Sequence, residues 1–361
     1  MKKSLLLLPV AALLLTAFLL LQPNEFEKKT IKGRDATVSY LINNSKADGT
    51  FTYLQTSQGK ENKLKNLYFR QLYAILAIAT EQQENPNPEL RKIHQLNLKS
   101  IKDSLKYQDD FAYINNSAEE NILTETDLAL LTLVASPYST EYKNEIQKLA
   151  NFILHQQQMN GYVMWSYPQK KENMLDQKDF AVQSFTAGQS IAACSRAYKF
   201  LKNEKYLICA QKAFDYYYSF LDKKFDPTLT SWLIIGTTGL SLSDISKDYK
   251  KELDILTHKL SSYVLNGEFF RQSKELDTNT SEIGLFVEAL EKGTHYGSYN
   301  KSEYEKLNKT AMVGIVTLLH NQITSNNKRL HGGISISSGN SSVQLDNTTH
   351  AYFALKEYSK R

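Results

Sequence analysis

Residues 181–224 read AVQSFTAGQSIAACSRAYKFL, then KNE, then KYLICAQKAFDYYYSFLDKK, and they hold two helices of different character. The first, Ala181–Leu201, is rich in small residues (Ala187, Gly188, Ala192, Ala193) and poor in charge. Such a helix is surrounded by protein on all sides, whereas the apolar spacing of Lys205–Lys224 leaves that helix one wet face. The short break at Lys202-Asn203 makes the two an antiparallel hairpin.

The same pairing recurs in both directions along the chain. Small-residue or apolar helices are expected at Lys63–Thr80, Glu125–Ala135, Ala181–Leu201, Thr228–Leu242, Ser281–Lys292 and Asn347–Tyr358. Amphipathic partners precede them at Ala36–Lys46, Pro88–Lys106, Thr140–Gln157, Lys205–Lys224, Asp248–Asn266 and Glu303–Ile323. A beat of roughly 40–65 residues repeated six times predicts an all-α closed ring of six helical hairpins. Every inner helix then runs the same way, and their N-termini gather at one mouth.

The joins share a grammar. Asp48-Gly49, Asn160-Gly161, Asn266-Gly267 and His331-Gly332 each follow an amphipathic helix, and alternating residues such as Phe51 and Tyr53, or Val163 and Trp165, come next. Gly there supplies the positive φ that ends a helix, and the alternation predicts short β-ribbons around one rim. Asp109–Tyr113 is a version of this join without glycine. Cap signals open the inner helices: Thr124 to Asp127, Asn279 to Glu282, Asp226 before Pro227, and Asp346.

Lys2 and Lys3 precede an uncharged run, Ser4–Gln22, with no small-x-small cleavage site and no following cysteine. This predicts an uncleaved signal-anchor over residues 1–24, with residues 25–361 forming one exported domain; the alternative is secretion after cleavage. Inner-membrane anchoring, with the domain in the periplasm or outside the cell, follows. A net charge of +5 spread over alternating Lys and Glu is a solvated surface and excludes a nucleic-acid partner. The two cysteines, Cys194 and Cys209, fall at one height on the central hairpin, and in an oxidising compartment a disulfide between them is expected. No nucleotide, metal or cofactor motif is present, so neither metal nor cofactor is expected.

The ring directs five carboxylates at its mouth: Glu125, Asp127, Asp179, Glu282 and Asp346. Two facing carboxylates are what glycosyl transfer to water requires. Asp127, Glu282 and Asp346 serve equally well as helix caps, and Glu125 is the least accounted for by capping. Asp346 and His350, four apart on one helix face, make an acid/base unit or a cap with a packed His. These four groups, Glu125, Asp127, Asp346 and His350, are the catalytic candidates. Arg70, inside an apolar helix, needs a carboxylate such as Asp346 or Asp127, or clamps a substrate carboxylate. Trp165 and Tyr167 on the rim are candidate stacking platforms, and with Arg70, Asp179 and Glu282 they form the expected substrate-binding set.

The twelve-helix pattern over Ala36–Tyr358 resembles the six-hairpin, (α/α)6-toroid glycosidase superfamily and its relatives among polysaccharide lyases and sugar epimerases. Leu345-Asp346-Asn347-Thr348-Thr349-His350 is also similar to the C-terminal Asp-Tyr-His-Thr-Thr-His stretch of D-glucuronyl C5-epimerases, with Asn347 in place of the Tyr and one residue fewer. The superfamily resemblance implies an active site where the inner helices begin and a glycan as substrate or partner. Hydrolysis is the leading expectation. The epimerase resemblance implies uronate recognition. Epimerisation or β-elimination of a uronate, or glycan binding without chemistry, are the alternatives.

Overall fold

The computed structural model describes residues 23–61, 68–116, 122–168, 177–241, 249–265, 279–337 and 339–360. Twelve α-helices run along these residues. The amphipathic set is α1 (Pro23–Asn43), α3 (Pro88–Ser104), α5 (Lys143–Gln156), α7 (Glu204–Leu221), α9 (Tyr249–Leu265) and α11 (Lys301–His320). The apolar set is α2 (Tyr68–Glu84), α4 (Ile122–Ala135), α6 (Gln177–Leu201), α8 (Pro227–Ser241), α10 (Thr280–Tyr296) and α12 (Leu345–Tyr358).

The apolar helices form a closed inner ring: α2 packs on α4, α4 on α6, α6 on α8, α8 on α10, α10 on α12, and α12 back on α2. Each amphipathic helix lies outside an apolar partner, and all but α3 also pack on a second apolar helix. This is the (α/α)6 toroid. Fully enclosed aromatic side chains such as Tyr206, Tyr217, Phe214 and Tyr249 fill the space between the layers.

Small residues bring the inner helices together. A methyl on Gly188 of α6 would lie 1.9 Å from the Trp232 carbonyl oxygen of α8. Gly236 and Gly239 of α8 answer it, with Ile191 and Ser195 of α6 against them. Cys194 and Cys209 meet across α6 and α7 with their Sγ atoms 2.9 Å apart, both buried and both free thiols. The sequence placed the pair at one height; the expected covalent bond is not formed in this structure.

Two helix starts differ from the sequence reading. Helix α1 begins at Pro23 rather than Ala36, because Pro at the first helical position and Glu25 in the first turn are start signals in their own right. Phe26 then packs edge-on against Tyr358 at 5.4 Å, tying the first helix to the last. Helix α4 begins at Ile122, which moves Asp127 out of the capping position. The N-terminal run Met1–Gln22 lies outside the described residues, and among the described ones no helix is long and apolar enough to cross a membrane.

The rim ribbons appear where the join grammar put them. The strands are β1 (Leu54–Gln55), β2 (Leu105–Gln108), β3 (Phe111–Ile114), β4 (Ser335–Ser337) and β5 (Asn340–Gln344). Strand β5 pairs antiparallel with both β1 and β4, while β2 and β3 make a separate hairpin. Gly161 turns with φ +96°, and Asp109 takes φ +44° in the join that lacks glycine. The expected fifth join, Asn266–Arg271, falls outside the described residues.

Candidate functional site

The mouth at the inner-helix N-termini is held in place by buried amides. Gln71 of α2 accepts from the Phe51 N–H at 2.7 Å and donates to the Phe51 carbonyl at 3.2 Å. Gln156 donates to the carbonyls of Met164 and Ser166, and Asn97 donates to that of Gly49. Each amide satisfies rim backbone that the short strands leave unpaired.

One cluster unites three of the expected residues. Arg70, one turn into α2, places Nε 3.5 Å from Asp346 Oδ2 in the first turn of α12. The guanidinium also lies over the Tyr53 ring of the rim at 5.3 Å, and Gln344 donates to the Tyr53 hydroxyl at 2.7 Å. His350, one turn below Asp346, sits with its ring 4.8 Å from Tyr73 and 6.2 Å from Trp232. Burial pushes the His350 pKa down to about 4; Asp346 opposes that shift and Arg70 adds to it. The imidazole is therefore neutral at neutral pH. Asp346 Oδ1 and His350 Nδ1 are buried with no hydrogen-bond partner among the described residues. Of the two readings of Arg70, the structure realises the pairing with Asp346, so a substrate carboxylate must compete with Asp346 for it.

The epimerase-like stretch divides by role. Thr348 Oγ1 accepts from the Ile334 N–H at 3.0 Å and Thr349 Oγ1 donates to the Leu345 carbonyl at 2.8 Å. Asn347 donates to Thr280 Oγ1 at 2.6 Å. The hydroxyls and the amide are spent on the rim and the helix. Asp346 and His350 remain for chemistry.

Glu125 and Asp127 are both fully enclosed. Asp127 accepts from Ser190 Oγ of α6 at 2.6 Å, and burial holds its carboxyl well above the usual range. It is a buried core acid bridging two inner helices, neither the cap nor the mouth carboxylate that its spacing suggested. Glu125 accepts from the Asn116 N–H at 3.2 Å. Beside it, Tyr68, Ser100, Ser104 and Asn116 form a hydroxyl and amide chain along an open rim cleft of about 420 Å³.

Glu282 is exposed in the first turn of α10, the helix next to α12, and crowding by protein raises its pKa above the ordinary carboxylate range. Asn279 caps that helix through the Ser281 N–H rather than through a reciprocal box with Glu282. Trp165 is partly buried at the rim, and its carbonyl accepts from the Leu123 N–H. Tyr167 packs among Phe111, Tyr113, Phe152 and His155, and its hydroxyl donates to Gln108 at 2.6 Å. It braces the rim, where a free stacking platform was expected. Asp179 lies in α6, but its side chain is outside the described set. Among the described residues, no group of three His, Cys, Asp or Glu is placed to hold a metal ion.

No family model matches the chain, and no curated protein does either. Solved structures do. A GH76A α-1,6-mannanase from Salegentibacter sp. HEL1_6 superposes with a TM-score of 0.64 at 12% identity, covering 92% of this chain and 98% of that one. A GH76 α-mannanase from Bacteroides thetaiotaomicron gives 0.62 at 12% identity over 92% and 96%. An unsaturated glucuronyl hydrolase from Bacillus sp. GL1 gives 0.63 at 12% identity over 91% and 96%. At such identities the likeness is one of fold, and the chain has the (α/α)6 toroid architecture of these glycoside hydrolases.

Proposed function

We propose that this protein is a glycoside hydrolase that takes a polysaccharide or oligosaccharide into the mouth formed by the inner-helix N-termini. The observation that carries the reading is the Arg70–Asp346 pair beside a buried neutral His350 at that mouth. Six inner helices each direct about half a positive charge and several unpaired N–H groups there, which favours hydroxyl-rich and anionic ligands. Two glycosidase roles then have candidates on neighbouring helices. Glu282, with its raised pKa, suits the general acid, and Asp346, ion-paired to Arg70, suits the base or nucleophile. His350 packs beneath them against Tyr73 and Trp232 and carries no charge itself.

The toroid neighbours support this assignment by analogy. The Salegentibacter mannanase was solved as an inactive variant, with two consecutive aspartates replaced, in complex with α-1,6-mannotetrose. In this chain Glu125 and Asp127 are enclosed, so the mouth chemistry falls to Asp346 and Glu282. We further propose that the uncharged run from Ser4 to Gln22, preceded by Lys2 and Lys3, anchors the domain in the inner membrane and places it outside the cytoplasm. A second reading, a toroid that binds glycan without hydrolysing it, draws on the Asp346 charge being tied up by Arg70.

The test is reducing-end release from a panel of α-mannans, acidic glycosaminoglycan fragments and neutral glucans. Release from one class supports the assignment. Binding to a glycan with no release from any establishes the second reading.

A further inference from the structure

The ring axis is closed at mid-height by aromatic side chains: Tyr73 stands 5.0 Å from Phe353 and 6.1 Å from Trp232, ring to ring, with His350 directly above. On the far side of this plug lies a cavity of about 470 Å³ that opens at the opposite end of the toroid. All six inner helices line it with their C-terminal halves, for example Tyr73 to Glu84 on α2 and Gln189 to Arg196 on α6. Its volume falls within the roughly 300–1,000 Å³ of small-molecule sites.

Chemistry narrows what it would take. The floor is aromatic, made by Tyr73, Trp232 and Phe353. The lip carries three ion pairs: Lys356 with Glu84, Lys292 with Glu288 at 2.6 Å, and Lys360 with Glu357 at 2.9 Å. The Tyr73 hydroxyl donates to Glu288 at 3.0 Å. Arg196 is the one lining cation with no carboxylate paired to it among the described residues. A cation meets repulsion from Arg196 and the lysines. An anion meets the six helix C-termini, each bringing about half a negative charge. A neutral ring with hydroxyls meets an aromatic floor to stack on and fixed donors and acceptors at the lip.

We propose that this cavity is a second binding site, for a neutral mono- or disaccharide, independent of the mouth at the other end. The two ends of one helix ring then differ in preference, the mouth tolerating acidic sugars and the cavity disfavouring them. The proposal does not depend on hydrolysis at the mouth.

The experiment uses the whole protein with Trp165→Phe, which leaves Trp232 as its single indole. Glucose, mannose and glucuronate are titrated while Trp232 emission is read. The expected result is a saturable change with glucose or mannose, about tenfold weaker with glucuronate, and unaltered by Arg70→Ala. Ala192→Phe places a ring in the cavity and abolishes the change, and Arg196→Ala weakens it several-fold. Hydrogen exchange gives a second readout, with sugar protecting residues 128–137, 189–196 and 288–296; if Ala192→Phe does not fold, this measurement decides. No saturable change at about 100 mM of either neutral sugar overturns the proposal. So does a change that Arg70→Ala removes and Ala192→Phe leaves intact, or sugar binding without protection of those three segments.

Discussion

Asp127→Asn separates a core acid from a catalytic one. The Asp127 carboxyl is fully enclosed, accepts from Ser190 and has its pKa held well above 3.8 by burial. A group whose folded pKa is raised contributes stability that is complete below its unfolded pKa and is lost as pH rises toward the folded value. Each pH unit above 3.8 therefore costs the folded state about 1.4 kcal/mol, until the folded carboxyl itself ionises. Asn keeps the shape and an oxygen for the Ser190 hydroxyl but has no proton to lose. Urea unfolding at pH 4, 5, 6 and 7 should then give a wild-type minus variant difference that falls as pH rises, by up to about 1.4 kcal/mol per unit until the folded carboxyl ionises. Other titrating groups, His94 and His350 among them, cancel in that difference. The variant should gain on the wild type as pH rises and should keep whatever glycan activity the wild type has. Parallel pH curves, or loss of activity with stability unchanged, would mean that Asp127 ionises in the folded protein and faces ligand, and the burial argument would fail.

Other outcomes follow from single contacts. His94 is enclosed in α3 with its Nε2 2.8 Å from Ser136 Oγ, and burial lowers its pKa to about 4. Its contribution is present above pH 6.5 and is lost as pH falls toward 4, about 3 kcal/mol in all, so His94→Gln should flatten the acid limb of the stability curve. Gly188→Ala sets a methyl 1.9 Å from the Trp232 carbonyl and must part α6 from α8, costing at least about 1–3 kcal/mol in urea unfolding; an unchanged midpoint would show that these helices are not in close contact. With Cys194 and Cys209 both free, thiol counting on unfolded, unreduced protein should return two; a count of zero would mean that the pair closes in the native protein.

The fold was legible because its signal is redundant. Six inner helices repeat one composition, and an error at any single boundary, such as the late start given to α1, leaves the ring intact. The mouth was legible only in part. Arg70 and Asp346 could be matched because a cation in an apolar helix demands an anion, and the ring brings the first inner helix, α2, beside the last, α12. Asp127 misled because its spacing from Thr124 imitates a cap, while the helix had already begun at Ile122. Tyr167 misled because an alternating rim strand says which residues point the same way, not whether the outer layer covers them; Phe152 and His155 of α5 do. Gln156 and Asn97 carried no signal, since a buried amide is recognisable only when the backbone it satisfies is known. The cavity at the inner-helix C-termini was invisible for a related reason. It is a space left by six helices together, and no segment encodes it.

The central claim is that Asp346 acts on a glycan at the N-terminal mouth. It is tested most directly by glycan turnover in Asp346→Asn, measured beside its unfolding free energy. Turnover should fall by two orders of magnitude or more, about 3 kcal/mol in the barrier, while the variant still folds despite losing an ion pair whose side chains are 29% and 16% exposed. Turnover that survives at the wild-type level, in a variant that folds, would contradict it.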